Sequence, residues 1–195
     1  MHFINVVKIS SKQHKNVSQH FMNNIINYIF LLSSTSFAFA TYSQTTDSVK
    51  VKTEFLVPAK QNKWINDFED LFTKAQERTL DSLITSFEKA TTNEIAIVTF
   101  NSASTETNTD NFDNFVLAIH NYWGVGKKGA NNGIVIGICT DLRKIRISNG
   151  YGIEKRLTGH ETTEIIDEII TPEFKKGLFF KGVHNGLLAL FSKLQ

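Results

Sequence analysis

Apolar residues recur at helix or strand spacing through most of the chain beyond residue 63, and this pattern predicts four helices and three strands. Helices are predicted over residues 73–91 and 112–123, from Thr158 to a break at Pro172, and over 178–194. Strands are predicted over residues 94–100, 133–139 and 144–148. Capping-box patterns at Thr73 and Thr158 mark two of the helix starts.

The order of these elements predicts an α/β fold, a three-layer α/β/α sandwich with a small, mixed, Rossmann-like sheet. A strand–helix–strand unit makes the first two strands parallel. The short segment Thr140–Arg143 suits a hairpin turn that adds the third strand antiparallel. Helices then cover both faces of the sheet.

The amino-terminal part has the pattern of an export signal. Residues 25–40 are apolar, follow basic residues and end in Ala38-Phe39-Ala40, the small-x-small pattern of a cleavage site. We therefore predict a signal peptide over residues 1–40, with Met22 as a possible true start, and a periplasmic or secreted protein. The alternatives are a retained anchor and a buried core helix. Residues 41–63 are predicted to be a flexible tether, and 64–195 the folded domain.

Charge and cysteine content exclude several classes of protein. The formal net charge is +2, and residues 1–44 contain three lysines and no acidic residue, so the remainder gives no case for nucleic-acid binding. The single cysteine, Cys139, excludes a disulfide framework and a zinc site built on cysteine pairs.

Gly124–Gly129 matches GxGxxG, but a helix precedes it and a strand follows, the reverse of a dinucleotide site.

Six short segments, taken in order, carry a resemblance to a known family. They are WINDF at 64–68, EIAIVT at 94–99, YWGVG at 122–126 with NNG at 131–133, DLRKIRI at 141–147, GYGIE at 150–154 and PEFKKG at 172–177. From Trp64 to about Leu194 the chain resembles the TPM-domain family.

The resemblance implies an exported or lumenal module with an α/β/α fold. Some relatives bind calcium or magnesium, plant relatives are linked to photosystem repair and acid phosphatase activity, and others accompany membrane proteins. Leu142 stands where many relatives have a second acidic residue, which argues against a two-carboxylate centre at this turn.

Parallel strands bring their carboxyl ends to one rim of the sheet, where ligands of open α/β sheets bind. Asp67, Asp141 and Asp110 are expected at this rim, where oxygen ligands would suit Ca²⁺ or Mg²⁺. Arg143 could hold a phosphate oxygen. The alternatives are a turn or cap for Asp67 and hairpin-turn chemistry for Asp141 and Arg143.

The opposite rim supplies a second group of candidates, either for metal binding or for a structural role. They are Gly126, Asn131, Asn132, Tyr151 and Glu154. Glu154 is expected to accept backbone N–H bonds from the glycine loop or to bind metal there.

Two classes of function follow. One is an exported module that binds a divalent cation and acts in protein interaction or maintenance in the cell envelope, with envelope or membrane proteins as partners and no stable membrane anchor after cleavage. The other is a metal-dependent, acid-phosphatase-like hydrolase of phosphate esters. Enzymatic activity is left open.

Export is directly testable. Amino-terminal sequencing of the mature native protein should begin at or near Thr41, because signal peptidase reads the small residues that precede it. Intact residues 22–40 in a purified envelope fraction would contradict this prediction.

Overall fold

The computed structural model describes residues 55–195 and the backbone of residues 6–8. The strands are Val6–Lys8 (β1), Leu56–Pro58 (β2), Ile65–Asp67 (β3), Glu94–Thr99 (β4), Gly133–Cys139 (β5) and Lys144–Asn149 (β6). The helices are Lys74–Thr91 (α1), Ser102–Thr105 (α2), Phe112–Trp123 (α3), Tyr151–Glu154 (α4), Gly159–Glu164 (α5), Thr171–Phe174 (α6) and Phe179–Leu194 (α7). A π-helical segment, Ile165–Ile170, joins α5 to α6.

The central sheet has the strand order β3-β4-β5-β6, while β1 and β2 form a separate two-stranded sheet. β3 runs parallel to β4, and β4 runs parallel to β5. β6 returns antiparallel to β5 through the predicted hairpin. The predicted α/β class and small mixed sheet are confirmed, with β3 as an additional edge strand.

Side chains alternate between the two faces of the sheet, and helices cover both faces and bury these side chains. On one face, isoleucines of β4 and β5 pack with α1 and α7, which meet where the Phe87 and Phe191 rings stack 4.2 Å apart. On the other face α3 lies so close to β5 that a Cβ at Gly137 would come within 2.5 Å of Val116. The three-layer arrangement follows from this double burial.

The folded part begins earlier than the sequence predicted. Residues 55–63 were assigned to the tether, but Phe55 and Val57 are buried and the Phe55 ring contacts that of Phe115 at 5.4 Å. The Trp123 indole also donates a hydrogen bond to the Pro58 carbonyl at 2.9 Å. Most of the predicted signal peptide lies outside the described residues, which include only the backbone of residues 6–8 from it. Residues 41–54 of the predicted tether also lie outside the described residues.

Pro172 does not break its helix, contrary to the prediction. Helical backbone continues from Gly159 to Phe174, and the π-helical segment stands immediately before the short helix that contains the proline. The Thr171 N–H bonds to the Ile166 carbonyl, five residues back. A wider turn of this kind accommodates a residue that cannot donate a backbone hydrogen bond.

A buried histidine joins α3 to the edge strand β6. The Nδ1 atom of His120 lies 3.0 Å from the Ser148 hydroxyl, and both residues are buried. Burial lowers the pKa of His120 below its ordinary value of 6.5, and this outweighs the hydrogen bonds that raise it. The neutral imidazole is therefore the form that the fold stabilises.

Ile136 is fully buried at the centre of β5, so replacing it with alanine should destabilise the fold by about 2–5 kcal/mol. Ile145→Ala on the half-buried edge strand is the matched control and should cost less. Urea denaturation measures both. An Ile136→Ala midpoint equal to that of the wild type would contradict the observed packing.

The low pKa of His120 predicts a loss of stability in acid. Its contribution is present above 6.5, the ordinary pKa, and is lost as pH falls through the lower pKa of the folded state. His120→Gln should therefore show a flatter dependence of unfolding free energy on pH than the wild type. Asn121→Gln, at an exposed position of the same helix, changes no titratable group, serves as the control and should keep the wild-type slope.

Candidate functional site

Three parallel strands end together at one rim of the sheet. The register pairs Asp67 of β3 with Thr99 of β4, and Thr99 with Ile138 of β5. The turn containing Asp141 follows β5 directly, so Asp67 and Asp141 lie at the same rim. We call it the carboxyl rim, formed by residues 67–72, 99–102 and 138–143.

The Asp67 carboxylate is committed to the fold. Its Oδ1 accepts hydrogen bonds from the Thr99 hydroxyl at 2.5 Å and the Leu71 N–H at 3.0 Å. Its Oδ2 accepts the Phe72 N–H at 2.8 Å. Asp67 thus ties β3 to β4 and shapes the turn before α1, which is the turn-stabilising alternative left open by the sequence.

Asp141 joins the hairpin turn to the loop after β4. Its carboxylate accepts hydrogen bonds from the N–H and the hydroxyl of Ser102, and from the Cys139 thiol with a sulfur–oxygen distance of 2.8 Å. Desolvation acts to raise the pKa of Asp141, but the bonds from Cys139 and Ser102 outweigh it and hold this pKa below its usual value. Asp141 is therefore a carboxylate anion on the exposed side of the rim.

Glu69 is the rim residue that sequence reasoning missed. Its carboxylate accepts the Thr140 hydroxyl at 2.9 Å and the Thr140 N–H at 3.3 Å. Burial raises the pKa of Glu69, and the negative charges of Asp141 and Asp67 raise it further against the two bonds from Thr140. Glu69 and Thr140 are 71 residues apart in sequence, so no local pattern marks the contact.

Cys139 is not a nucleophile in this setting. Its side chain is fully buried, and desolvation together with the bond to Asp141 raises the pKa of the thiol to about 12. The reactive form of cysteine is the thiolate, which is not populated at neutral pH under these conditions.

Arg143 and Asp110 are both exposed. Arg143 occupies a left-handed backbone conformation with φ of 53° and closes the hairpin turn by donating its N–H to the Thr140 carbonyl at 3.1 Å. The Asp110 N–H is bonded to the Asn108 side chain at 2.9 Å in the turn before α3. Among the residues that the structure describes, Asp110 is not grouped with Asp67 and Asp141 as a set of three metal ligands.

At the opposite rim the glycine loop is held by a carboxylate other than the predicted one. The Gly126 N–H donates to Glu94 at 2.8 Å, and Glu94 also pairs with the Lys127 ammonium at 2.6 Å. Asn132 is buried, accepts the Lys127 N–H at 2.8 Å and donates to the Thr92 carbonyl at 2.8 Å. These contacts make Gly126 and Asn132 structural.

The remaining candidates of this rim are exposed. Asn131 has a φ of 49° and its carbonyl accepts the Gly152 N–H at 2.9 Å. Tyr151 is 75% exposed. Glu154 lies exposed on α4, and the backbone bond from Gly126 that was expected for it goes to Glu94 instead.

Oxygen atoms dominate the carboxyl rim, as hard cations require. In the part of the chain that the structure describes, no three His, Cys, Asp or Glu side chains are grouped closely enough to hold a metal ion. None of the helices described there has the length and apolar character needed to cross a bilayer.

Comparison with known proteins identifies similar folds. The solution structure of the amino-terminal domain of a protein from P. gingivalis is 28% identical, with a TM-score of 0.61 over 68% of this chain and 82% of that one. The BA42 protein of Bizionia argentinensis is 19% identical, with a TM-score of 0.53 over 65% of this chain and 83% of that one, a likeness of fold alone. A search of curated proteins found no match.

The TPM-domain family model matches residues 65–193, well over half of the chain, and covers every strand of the central sheet together with α1 and α7 apart from its last residue. The chain therefore belongs to the TPM-domain family.

Proposed function

We propose that this TPM domain binds Ca²⁺ or Mg²⁺ at the carboxyl rim, through Glu69 and Asp141, and acts as an exported, non-enzymatic module of the cell envelope. The observation that carries the proposal is that the Glu69 carboxylate is bonded to Thr140, the residue next to Asp141, so that two acidic side chains lie at the same rim. Burial and the neighbouring charges of Asp141 and Asp67 raise the pKa of Glu69, and a cation at this rim would favour its charged form.

The chemistry of the rim fits a hard cation. The carboxylates of Glu69 and Asp141 and the hydroxyls of Ser102 and Thr140 are all oxygen donors, which suit calcium and magnesium. Glu69 is held only by Thr140, so its carboxylate can reorient towards a cation more easily than that of Asp67. The residues present are few, and water would complete the coordination of either ion.

The different contacts of Asp67, Glu69 and Asp141 decide which of these residues should be mutated to test cation binding. Asp67 was expected to serve as a ligand, but an amide there would place an NH₂ group against backbone N–H donors and damage the fold. Glu69 and Asp141 are the better test positions because each is bonded chiefly to side chains and to single loop N–H groups.

The proposed envelope role is based on the predicted amino-terminal signal. The proposal of a non-enzymatic function is based on the states of the two nucleophile-type side chains at the carboxyl rim, Cys139 and Ser102. Burial raises the pKa of the Cys139 thiol to about 12, and the Ser102 hydroxyl donates a hydrogen bond to Asp141. Among residues 55–195, neither group is hydrogen-bonded to a histidine, the usual base that activates such nucleophiles.

A phosphatase-like hydrolase remains the second candidate because of Arg143. Its exposed side chain follows Asp141 by two residues at the same rim, where a guanidinium could hold a phosphate oxygen. A cation held by Asp141 would supply charge stabilisation for the phosphoryl group, and Arg143 would orient it.

Calcium should stabilise the wild-type protein against heat, because a ligand that binds only the native state shifts the unfolding equilibrium. At a hundredfold excess over the dissociation constant the gain is about 2.7 kcal/mol. The double variant Glu69→Gln with Asp141→Asn should lose this gain, as followed by melting temperature over a calcium titration and, separately, a magnesium titration.

Glu154→Gln is the matched control at the opposite rim and should keep the full response. A response lost in Glu154→Gln but kept in the double variant would move the cation to the second rim. If neither ion changes the wild-type melting temperature, the cation proposal is wrong. Metal-dependent turnover of a phosphate monoester that disappears in Asp141→Asn and weakens in Arg143→Gln would favour the hydrolase.

A further inference from the structure

An exposed turn with basic and apolar residues joins α6 to α7. We define the tip as residues 173–181, with sequence EFKKGLFFK. Its four apex residues, 175–178, are all exposed, and Leu178 is 45% exposed. Leu178 is therefore an exposed apolar residue among lysines and does not contribute to the core.

The tip is rigid. The N–H groups of Gly177 and Leu178 bond back to the carbonyls of Phe174 and Glu173 at 2.9 and 3.0 Å, and Gly177 has a φ of 75°, which completes a helix-ending motif. The Phe174 and Phe179 rings meet edge to face at 5.1 Å. Leu178 is therefore held outward by ordered backbone.

Lysines lie close in sequence to the exposed leucine. Lys176 and Lys181 both pair with Glu173, at 3.2 and 3.3 Å, while Lys175 is exposed. The tip thus carries a surplus of two positive charges. Phe179 and Phe180, which follow Leu178, are half-buried and add partly accessible apolar surface.

We propose that the tip, residues 173–181, docks on an anionic lipid surface, with Leu178 entering the interface and the lysines meeting the headgroups. An exposed leucine with lysines close by in the same turn matches the boundary between acyl chains and negative headgroups. The surplus of two positive charges on the tip is the feature that favours an anionic lipid surface as the occupant. The binding is peripheral and reversible, and it does not depend on the cation proposed above.

The tip and the glycine loop lie at opposite ends of the central sheet. The end of α7 is held by Arg156, which follows α4 and β6 and so lies at the rim of the glycine loop. The start of α7, and the tip with it, lies at the other end of the sheet. Lys128, an exposed lysine of the glycine loop, can therefore serve as a distant control.

The test places a polarity-sensitive, thiol-reactive dye on the tip of the full chain. Cys139 is fully buried, so Leu178→Cys offers the accessible thiol among the described residues, and Leu188→Cys, at an equally exposed leucine of α7, is the matched control. The probes are vesicles of phosphatidylcholine with and without phosphatidylglycerol, with a chelator present. Any membrane contact made by residues 1–54 is common to both variants.

The dye at position 178 should shift to the blue on anionic vesicles and return on addition of salt, while the dye at 188 does not change. Each charge near an anionic surface changes binding by about fivefold, so Lys175→Glu should weaken the partition of the protein by about 30-fold and more than Lys128→Glu does. Unfolding midpoints check that the variants are folded, and Lys175→Gln gives the smaller charge change.

Three results would overturn the proposal. The first is no shift at position 178 with either vesicle, which would leave the tip to a protein partner. The second is an equal shift at 178 and 188, which would mean that the membrane contact lies elsewhere. The third is the same shift without phosphatidylglycerol, which would remove the role of charge.

Discussion

The carboxyl rim depends on one contact, the hydrogen bond of 2.5 Å from the Thr99 hydroxyl to the Asp67 carboxylate. It joins the short edge strand β3 to β4, and the same carboxylate orders the turn that leads into α1. With β3 fixed, Glu69 is held against Thr140 of the hairpin. At this rim Asp67 is therefore bonded to β4 and to the turn before α1, whereas Glu69 and Asp141 are bonded to the hairpin turn and to Ser102.

Much of the fold could be predicted from sequence because its signals are local. The isoleucine-rich strands β4 and β5, buried on both faces, stand out as continuous apolar runs. Both capping boxes form as expected, with Thr73 and Thr158 each bonded to the residue three positions on. The parallel order of β4 and β5 predicted that Asp141 lies at the carboxyl rim. Asp67 was expected there because the helix that follows it runs back along β4.

Most of the missed features depend on contacts distant in sequence. β3 has three residues, too few for any periodicity, and is defined by its pairing with β4. Glu69 acquires its environment from Thr140, and the glycine loop is held by Glu94, 32 residues earlier, although Glu154 lies closer to it in sequence. Pro172 was predicted to break its helix. The helix tolerates the proline because of the wider π-helical turn before it, and the amino-acid composition does not predict that turn.

The central claim is that the Glu69 and Asp141 carboxylates of the carboxyl rim hold a divalent cation. Calcium titration followed by backbone amide NMR shifts tests it most directly, because it locates binding without assuming any chemistry. We predict saturable shifts at Glu69, Thr140, Asp141 and Ser102, with the glycine-loop amides unchanged. Shifts centred on the glycine loop, or none at saturating calcium, would contradict the account.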